Sequence, residues 1–260
     1  MNIRRSICII LLSLLLNSTV QSAPTTWAPV EVVCPVCQTK NTFLEIMSYG
    51  NYIYMWPSKY QLIFWPYTDS PVLYSCKRCH LTTFMEEFKG IPKDKLPTLK
   101  KILQQVNLPK ADKYTDIPMS QRLFVAEKVY SELGRGDEFW SHFYRVLGFH
   151  LEEEKKQEEA REARKKALTI VERMLTNKEN EGIRKELLLI SGAMRFFLKD
   201  GSGALKDFNE ASGLKYQNKS LKPEQSENAD KYLSSILAEY IKIINEKKTP
   251  QNDLATIKAG

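Results

Sequence analysis

Two Cys-x-x-Cys pairs are the residues in this sequence whose type and spacing could do chemistry. The first is Cys34-Pro-Val-Cys37, and thirty-eight residues later comes Cys76-Lys-Arg-Cys79, with His80 directly after it. Each pair can form a tight turn that presents two thiolates, and two such turns can surround one tetrahedral zinc ion. Four thiolates leave no open position for water or substrate, so the ion would be structural. The predicted ligands are Cys34, Cys37, Cys76 and Cys79.

The residues between the two pairs must form structure of their own, because the separation is longer than in a compact zinc ribbon. They are dense in aromatic side chains from Tyr49 to Tyr74, and Pro57, Pro66 and Pro71 interrupt them. This pattern predicts short strands and turns, not a helix. Large rings are typical of the core of a small domain, and a platform for stacking ligands is the alternative. We therefore predict a zinc-ribbon-like head with an aromatic insertion.

The same cysteines permit two other chemistries. Cys76-Lys-Arg-Cys79-His80 matches the attachment pattern of haem c, with two thiols bonded to the vinyl groups and His80 as the proximal ligand. Cys34 and Cys37 would then be a spare pair. Disulfides are the other possibility, because an oxidising compartment favours them and four cysteines permit three connectivities. An exported redox or electron-transfer protein is therefore the alternative to a structural zinc site.

The N-terminal residues have the features of a secretory signal peptide. Arg4 and Arg5 precede the apolar run Ile7 to Leu16, which is too short to span a bilayer. Small residues follow at a plausible cleavage point. We predict a signal peptide over residues 1–22, and hence export to the periplasm or beyond. Cys8 lies within the apolar run and would leave with the signal.

The charge and the motifs exclude several classes of protein. Removal of the signal leaves 36 basic and 31 acidic side chains, a formal charge of +5, which does not mark a nucleic-acid binder. No other apolar run approaches membrane length, so we expect no membrane span in the mature protein. The motifs of the common hydrolases and nucleotide-binding enzymes are missing, so nothing predicts an enzyme. His142 and His150 are too far apart on one helix to share a metal unaided, and we expect them to be satisfied core histidines.

From Ile91 onward the sequence has a helical period. Apolar stripes begin at Leu99 and Leu123, and the second is followed by Gly134, a residue typical of a helix end. The stretch from Leu151 to Lys166 is charged throughout, with oppositely charged side chains four residues apart. Such spacing predicts a solvated helix, so we expect an exposed face there.

Two segments of the helical half match the tetratricopeptide repeat, in which small residues let two helices approach and an aromatic fills the space between repeats. The second match is Gly192, Ala204, Phe208 and Ala211, and the first is Gly148, Ala160 and Ala167, with Arg164 in place of the aromatic. The matches are forty-four residues apart, longer than the usual repeat. Because stacked helix pairs generally present a concave groove, we expect a protein or peptide partner to bind there.

The chain resembles the bacterial proteins grouped as domain of unknown function 2225. The resemblance rests on the Cys-Pro-x-Cys, on Ser70 to Tyr74 before the second pair and on Phe84 to Pro92 after it, and it covers Val30 to Gly213. It implies a zinc-ribbon-like head on tetratricopeptide-like helices, with the four cysteines as metal ligands and no agreed activity. The chain departs from the family by its signal peptide and by His80, where the family tends to have a small residue.

The predicted fold class is therefore α+β and mainly α. A small β head with an aromatic insertion would precede an antiparallel helical array. The predicted organisation is a signal peptide at residues 1–22, the head at 23–92, the helical domain at 93–248 and a flexible tail at 249–260.

Overall fold

The computed structural model describes residues 26–48 and 60–247. The predicted signal peptide, the first part of the aromatic insertion and the predicted tail lie outside these residues. Among the residues described, no helix is both long enough and apolar enough to cross a membrane.

Two small antiparallel sheets form the N-terminal part of the fold. Strand β1 (Thr26–Val33) pairs with β2 (Lys40–Ser48), and β3 (Leu73–Ser75) pairs with β4 (Thr82–Phe84). A Cys-x-x-Cys turn lies between the two strands of each hairpin, so each pair sits at the tip of its own hairpin. A strand therefore leads into each turn and another leads out of it.

Seven α-helices follow in the part of the chain that the structure describes. They are α1 (Leu96–Leu103), α2 (Met119–Leu133), α3 (Asp137–Glu153), α4 (Gln157–Thr176), α5 (Arg184–Phe197), α6 (Gly201–Ser212) and α7 (Pro223–Asn245). Helix α2 ends at Gly134, as predicted, because that residue takes a left-handed backbone conformation with φ 69°. The mainly helical α+β fold is also as predicted.

Helices α3 and α4, and α5 and α6, form two helical hairpins joined by short turns. In the second hairpin a Cβ added at Gly192 would lie 2.7 Å from Cδ1 of Phe208. In the first hairpin a Cβ added at Gly148 would lie 3.1 Å from Cγ of Arg164. In both hairpins the glycine therefore lets the two helices approach closely, as the small residues of the repeat predict.

The charged stretch from Leu151 to Lys166 has the predicted exposed face, because most of its charged side chains are exposed, but the prediction of one helix is wrong. A bend at Lys155, with φ 62°, separates α3 from α4. Arg164 is only 4% exposed; it pairs with Glu152, and its guanidinium carbon lies 4.4 Å from the centroid of the Phe197 ring. A buried, paired arginine thus fills the space where the repeat usually has an aromatic, and an apolar stem with a paired head makes that burial tolerable.

The apolar cores join the head to the helices. Tyr60 and Leu62 belong to a core built mainly from α4 to α7, and Ile63 belongs to a core with α2 and α3. A third core combines residues around the cysteine turns, such as Phe43, with α1 and α2, for example Val129. Buried contacts therefore cross residue 92. Four described rings of the insertion pack in or against these cores, as the sequence favoured: Tyr60, Phe64, Tyr67 and Tyr74.

Candidate metal centre

The two cysteine turns bring their four sulfur atoms into one cluster. All four Sγ atoms lie within 4.8 Å of one another. Cys34 Sγ is 3.5 Å from Cys79 Sγ, and Cys37 Sγ is 3.5 Å from Cys76 Sγ, so both contacts run from one turn to the other. A tetrahedral zinc ion with bonds of about 2.3 Å separates its sulfur ligands by about 3.8 Å. A disulfide needs about 2.05 Å, so the four thiols are free and their spacing fits a metal.

The backbone of the two turns is the same. In each turn the N–H of the first cysteine donates to the carbonyl five residues later, and its own carbonyl accepts from the N–H four residues later, all at 2.9 Å. The residue that closes the turn is Gln38 in one case and His80 in the other. Their φ values of 58° and 60° lie in the left-handed region, which favours glycine. The two turns are therefore equivalent halves of one site.

This equivalence gives His80 a structural place. It occupies the position of Gln38 in the other turn, where the left-handed backbone conformation favours glycine. His80 and Gln38 therefore hold the same backbone place in their two turns.

Asn41 connects the two turns and was not predicted from the sequence. Its side chain is almost fully buried; Nδ2 donates to Thr39 O at 2.9 Å and lies 3.6 Å from Cys76 Sγ. Its Oδ1 accepts from the N–H of Lys77 at 3.0 Å. One amide thus ties the first turn to the second and donates toward a ligand sulfur. A buried asparagine on a strand beside a cysteine turn is the only sequence signal for this role.

The cluster has a buried side and an open side. Cys34 and Cys76 are completely buried, whereas Cys37 and Cys79 are half-buried. Hydrogen bonding to the Cys76 side chain raises the pKa of Cys34 to about 12, and hydrogen bonding to Cys34 and Cys76 raises the pKa of Cys79. The hydrogen bonds from Cys34 and Cys79 lower the pKa of Cys76. A bound divalent ion would displace the protons of the thiols that it ligates.

A groove with a volume of about 590 Å³ opens on the half-buried side of the cluster. Cys37 and Cys79 contribute to its wall, together with Lys100 and Leu103 from α1. No acidic side chain is among the residues that line it. The groove therefore connects two of the four sulfur atoms to solvent.

The segment that follows the undescribed part of the insertion lies against the helical hairpins. Arg145 on α3 donates from Nη1 to the carbonyls of Gln61 at 2.6 Å and Leu62 at 2.7 Å. The hydroxyl of Tyr240 on α7 donates to the carbonyl of Tyr60. These donors satisfy buried backbone groups that have no strand partner. Residues 60–62 thus cover part of the surface of the helical array.

His150 is a satisfied core histidine, as the sequence predicted. Its Nε2 donates to the carbonyl of Tyr67 at 2.9 Å, and its side chain is 7% exposed. The ring of His142 packs edge-on against the ring of Tyr67, with 4.7 Å between the centroids, but its Nε2 is buried without a hydrogen-bond partner, so the prediction that this histidine is satisfied is wrong. Both histidines therefore support the segment after the insertion and lie apart from the cysteine cluster.

No known protein family matches the chain, and comparison with curated proteins and with solved structures gave no match. The resemblance to domain of unknown function 2225 stays a prediction. The class that the fold and the site define is a four-cysteine head, able to bind a metal, on an array of helical hairpins.

Proposed function

We propose that this protein is an exported, non-catalytic binding or assembly module whose head is closed by one structural zinc ion. The observation that carries the proposal is the cluster of four free thiols within 4.8 Å, two of them fully buried. Four thiolates complete the tetrahedral coordination that zinc prefers and leave no position for a substrate. Zinc bound during folding would protect the thiols in an oxidising compartment, because binding and folding are coupled at such sites.

Haem c is less well supported than zinc by this geometry. Haem attachment would bond Cys76 and Cys79 to the vinyl groups, so these two cysteines could not share an ion with Cys34 and Cys37. It would also need His80 as a ligand, although the left-handed conformation of His80 already explains it as a turn residue. The 3.5 Å contacts between the two pairs favour one shared ion.

Two variants, each compared with the wild-type protein, test the zinc site. Cys34→Ser removes one buried thiolate, so we expect loss of the metal, measured by elemental analysis of the purified mature protein, and partial unfolding of the head. His80→Gly places the residue that tolerates φ 60° at the turn, so we expect full metal content and equal or higher melting temperature. If the protein carries haem, the pattern is reversed: His80→Gly disturbs the cofactor and Cys34→Ser spares it.

We further propose a protein or peptide partner. A cleft of about 960 Å³ lies beside the start of α7, and its lining includes Leu214, Tyr216 and Leu221 among lysine and glutamate side chains. Apolar anchors among charged groups suit an extended peptide segment. The cleft is a better candidate than the helical surface that residues 60–62 cover.

Site-specific crosslinking tests this placement of the partner. A photoreactive residue replaces Leu221, which is 37% exposed, and, as a control, Phe124 on α2, which is 39% exposed. We expect one discrete crosslinked protein from position 221 in the exporting cell and none from position 124. Equal crosslinking at both positions, or none at 221, contradicts the placement.

A further inference from the structure

We propose that Cys37 and Cys79 are the sites at which hydroperoxides oxidise the cluster, and that oxidation joins turn to turn. The products would be the disulfides Cys37–Cys76 and Cys34–Cys79. The release of a metal in this process rests on the proposed zinc function, whereas the order and pairing of the oxidation rest on the sulfur geometry alone.

Access to the cluster decides which sulfur reacts first. Cys34 and Cys76 are completely buried, so a solute cannot reach them without local opening. Cys37 and Cys79 are half-buried and line the groove of about 590 Å³. A hydroperoxide is only slightly larger than water, whose share of liquid volume is about 30 Å³. The groove is therefore large enough to admit it to these two sulfurs.

Each accessible sulfur has a buried sulfur of the opposite turn beside it. Cys37 Sγ lies 3.5 Å from Cys76 Sγ, and Cys79 Sγ lies 3.5 Å from Cys34 Sγ. A disulfide bond of about 2.05 Å requires an approach of about 1.5 Å in each pair. An exposed cysteine next to a resolving cysteine is the arrangement typical of peroxide-sensitive sites.

The chemistry balances with hydrogen peroxide as the oxidant. The Cys37 thiolate attacks one peroxide oxygen, the O–O bond breaks, and the leaving oxygen takes up a proton and departs as water, which leaves a sulfenic acid. The Cys76 thiolate then attacks the sulfenic sulfur, the S–O bond breaks, and a second water leaves after protonation. Each disulfide consumes one peroxide, two thiolates and two protons. The whole cluster therefore consumes two peroxides.

Oxidation replaces the metal ion that joins the two turns by two disulfides. The four sulfurs lose the negative charge that makes a thiolate a strong metal ligand, so the cluster no longer holds an ion. The two disulfides connect the same two turns at the same place. We therefore expect the oxidised protein to keep its head closed and to melt above the reduced, metal-free protein.

Peptide mapping tests the pairing. The mature protein with its metal receives two equivalents of hydrogen peroxide, is alkylated and is cleaved with trypsin, which cuts after Lys40, Lys77 and Arg78. We expect the peptide that holds Cys34 and Cys37 to be joined to both others, and fragmentation between Pro35 and Cys37 to assign each link. A free peptide with a Cys34–Cys37 disulfide overturns the proposal, as does the absence of disulfides.

Trapping the first product tests the order of reaction. With peroxide below one equivalent and dimedone present, we expect the sulfenic adduct on Cys37 or Cys79 at least tenfold above that on Cys34 or Cys76. Adducts mainly on the buried pair overturn the proposal. Wild-type protein suffices, so no variant has to fold.

Metal content measured before the peroxide is added separates this inference from the proposed function. Turn-to-turn disulfides from a protein isolated without zinc would support the inference and refute the zinc site. Disulfides within each pair from a zinc-loaded protein would do the opposite.

Discussion

At the scale of single residues, buried polar side chains hold the irregular backbone of this fold. Arg122 on α2 is fully buried, and its guanidinium donates to the carbonyls of Ile117, Ser70 and Leu73 at 2.6–3.1 Å. A guanidinium is a rigid fork of five donors, so it can satisfy several carbonyls from different directions. The chain before β3 is thereby fixed to the helices without a neighbouring strand.

We expect Arg122→Met to lower the free energy of unfolding by about 3 kcal/mol, because three buried carbonyls lose their donor. Arg122→Lys should recover only part of this, since an ammonium cannot reproduce the fork. Arg161→Met is the control, because Arg161 is exposed and lies 3.9 Å from Glu158, a pair worth less than about 1 kcal/mol. Urea unfolding followed by circular dichroism measures all three. An Arg122→Met protein as stable as the control would contradict the account.

Burial of His150 makes the free energy of unfolding depend on pH. Burial lowers the pKa of His150 to about 4, whereas its unfolded value is about 6.5. The unfolded chain therefore takes up a proton first as pH falls, and stability is lost between about pH 6.5 and pH 4. At pH 5 the loss from this group is about 2 kcal/mol. Urea unfolding across this range should show a smaller slope for His150→Gln, and an unchanged slope would refute the assignment.

At the scale of elements, the spacing of small and aromatic residues predicted which helices pack together. It did not predict every side-chain contact between those helices. Gly134 predicted the end of α2, and Gly192 with Phe208 predicted the closest approach of α5 and α6. Arg164 could not be predicted as buried, because its partner Glu152 lies on the preceding helix and its cation–π contact is with Phe197 on α5. The charge of Arg164 by itself predicted an exposed side chain.

The helical hairpins can be tested through their glycines. We expect Gly192→Ala to lower the free energy of unfolding by about 1–3 kcal/mol, because the new methyl group overlaps the Phe208 ring. Gly148→Ala should cost less, since its neighbour is the flexible stem of Arg164. Gly201→Ala, with no atom within 4 Å, should be neutral or raise stability by up to about 1 kcal/mol. Thermal melting ranks the three, and an equal effect at 192 and 201 would contradict the packing.

At the scale of the whole molecule, the head and the helices share their cores. Cys34 and Cys76 lie in the same apolar core as Leu99 of α1 and Val129 of α2. Tyr60 and Tyr240 are 180 residues apart, yet their rings lie 5.3 Å from each other. Contacts over such separations leave no periodic signal in a sequence. The cysteine pairs were recognisable because ligand spacing is local, whereas the covering of the hairpins by residues 60–62 was not.

Shared cores predict that metal loss weakens the helices as well as the head. We expect a strong chelator to lower the thermal midpoint of both the helical signal in the far ultraviolet and the aromatic signal in the near ultraviolet. Both signals should still change together, because one core contains ligand and helix residues. If the thermal midpoint of the helical signal is unchanged while the aromatic signal is lost, the head unfolds independently.

The intact mass of the purified protein, measured first native and then denatured, tests the central claim most directly. The account predicts an increment of one zinc ion in the native spectrum that disappears on denaturation, with all four cysteines reduced. A covalent haem increment that survives denaturation would contradict it. So would a protein isolated without a metal and lacking four hydrogens, because that mass would show two disulfides in place of the zinc site.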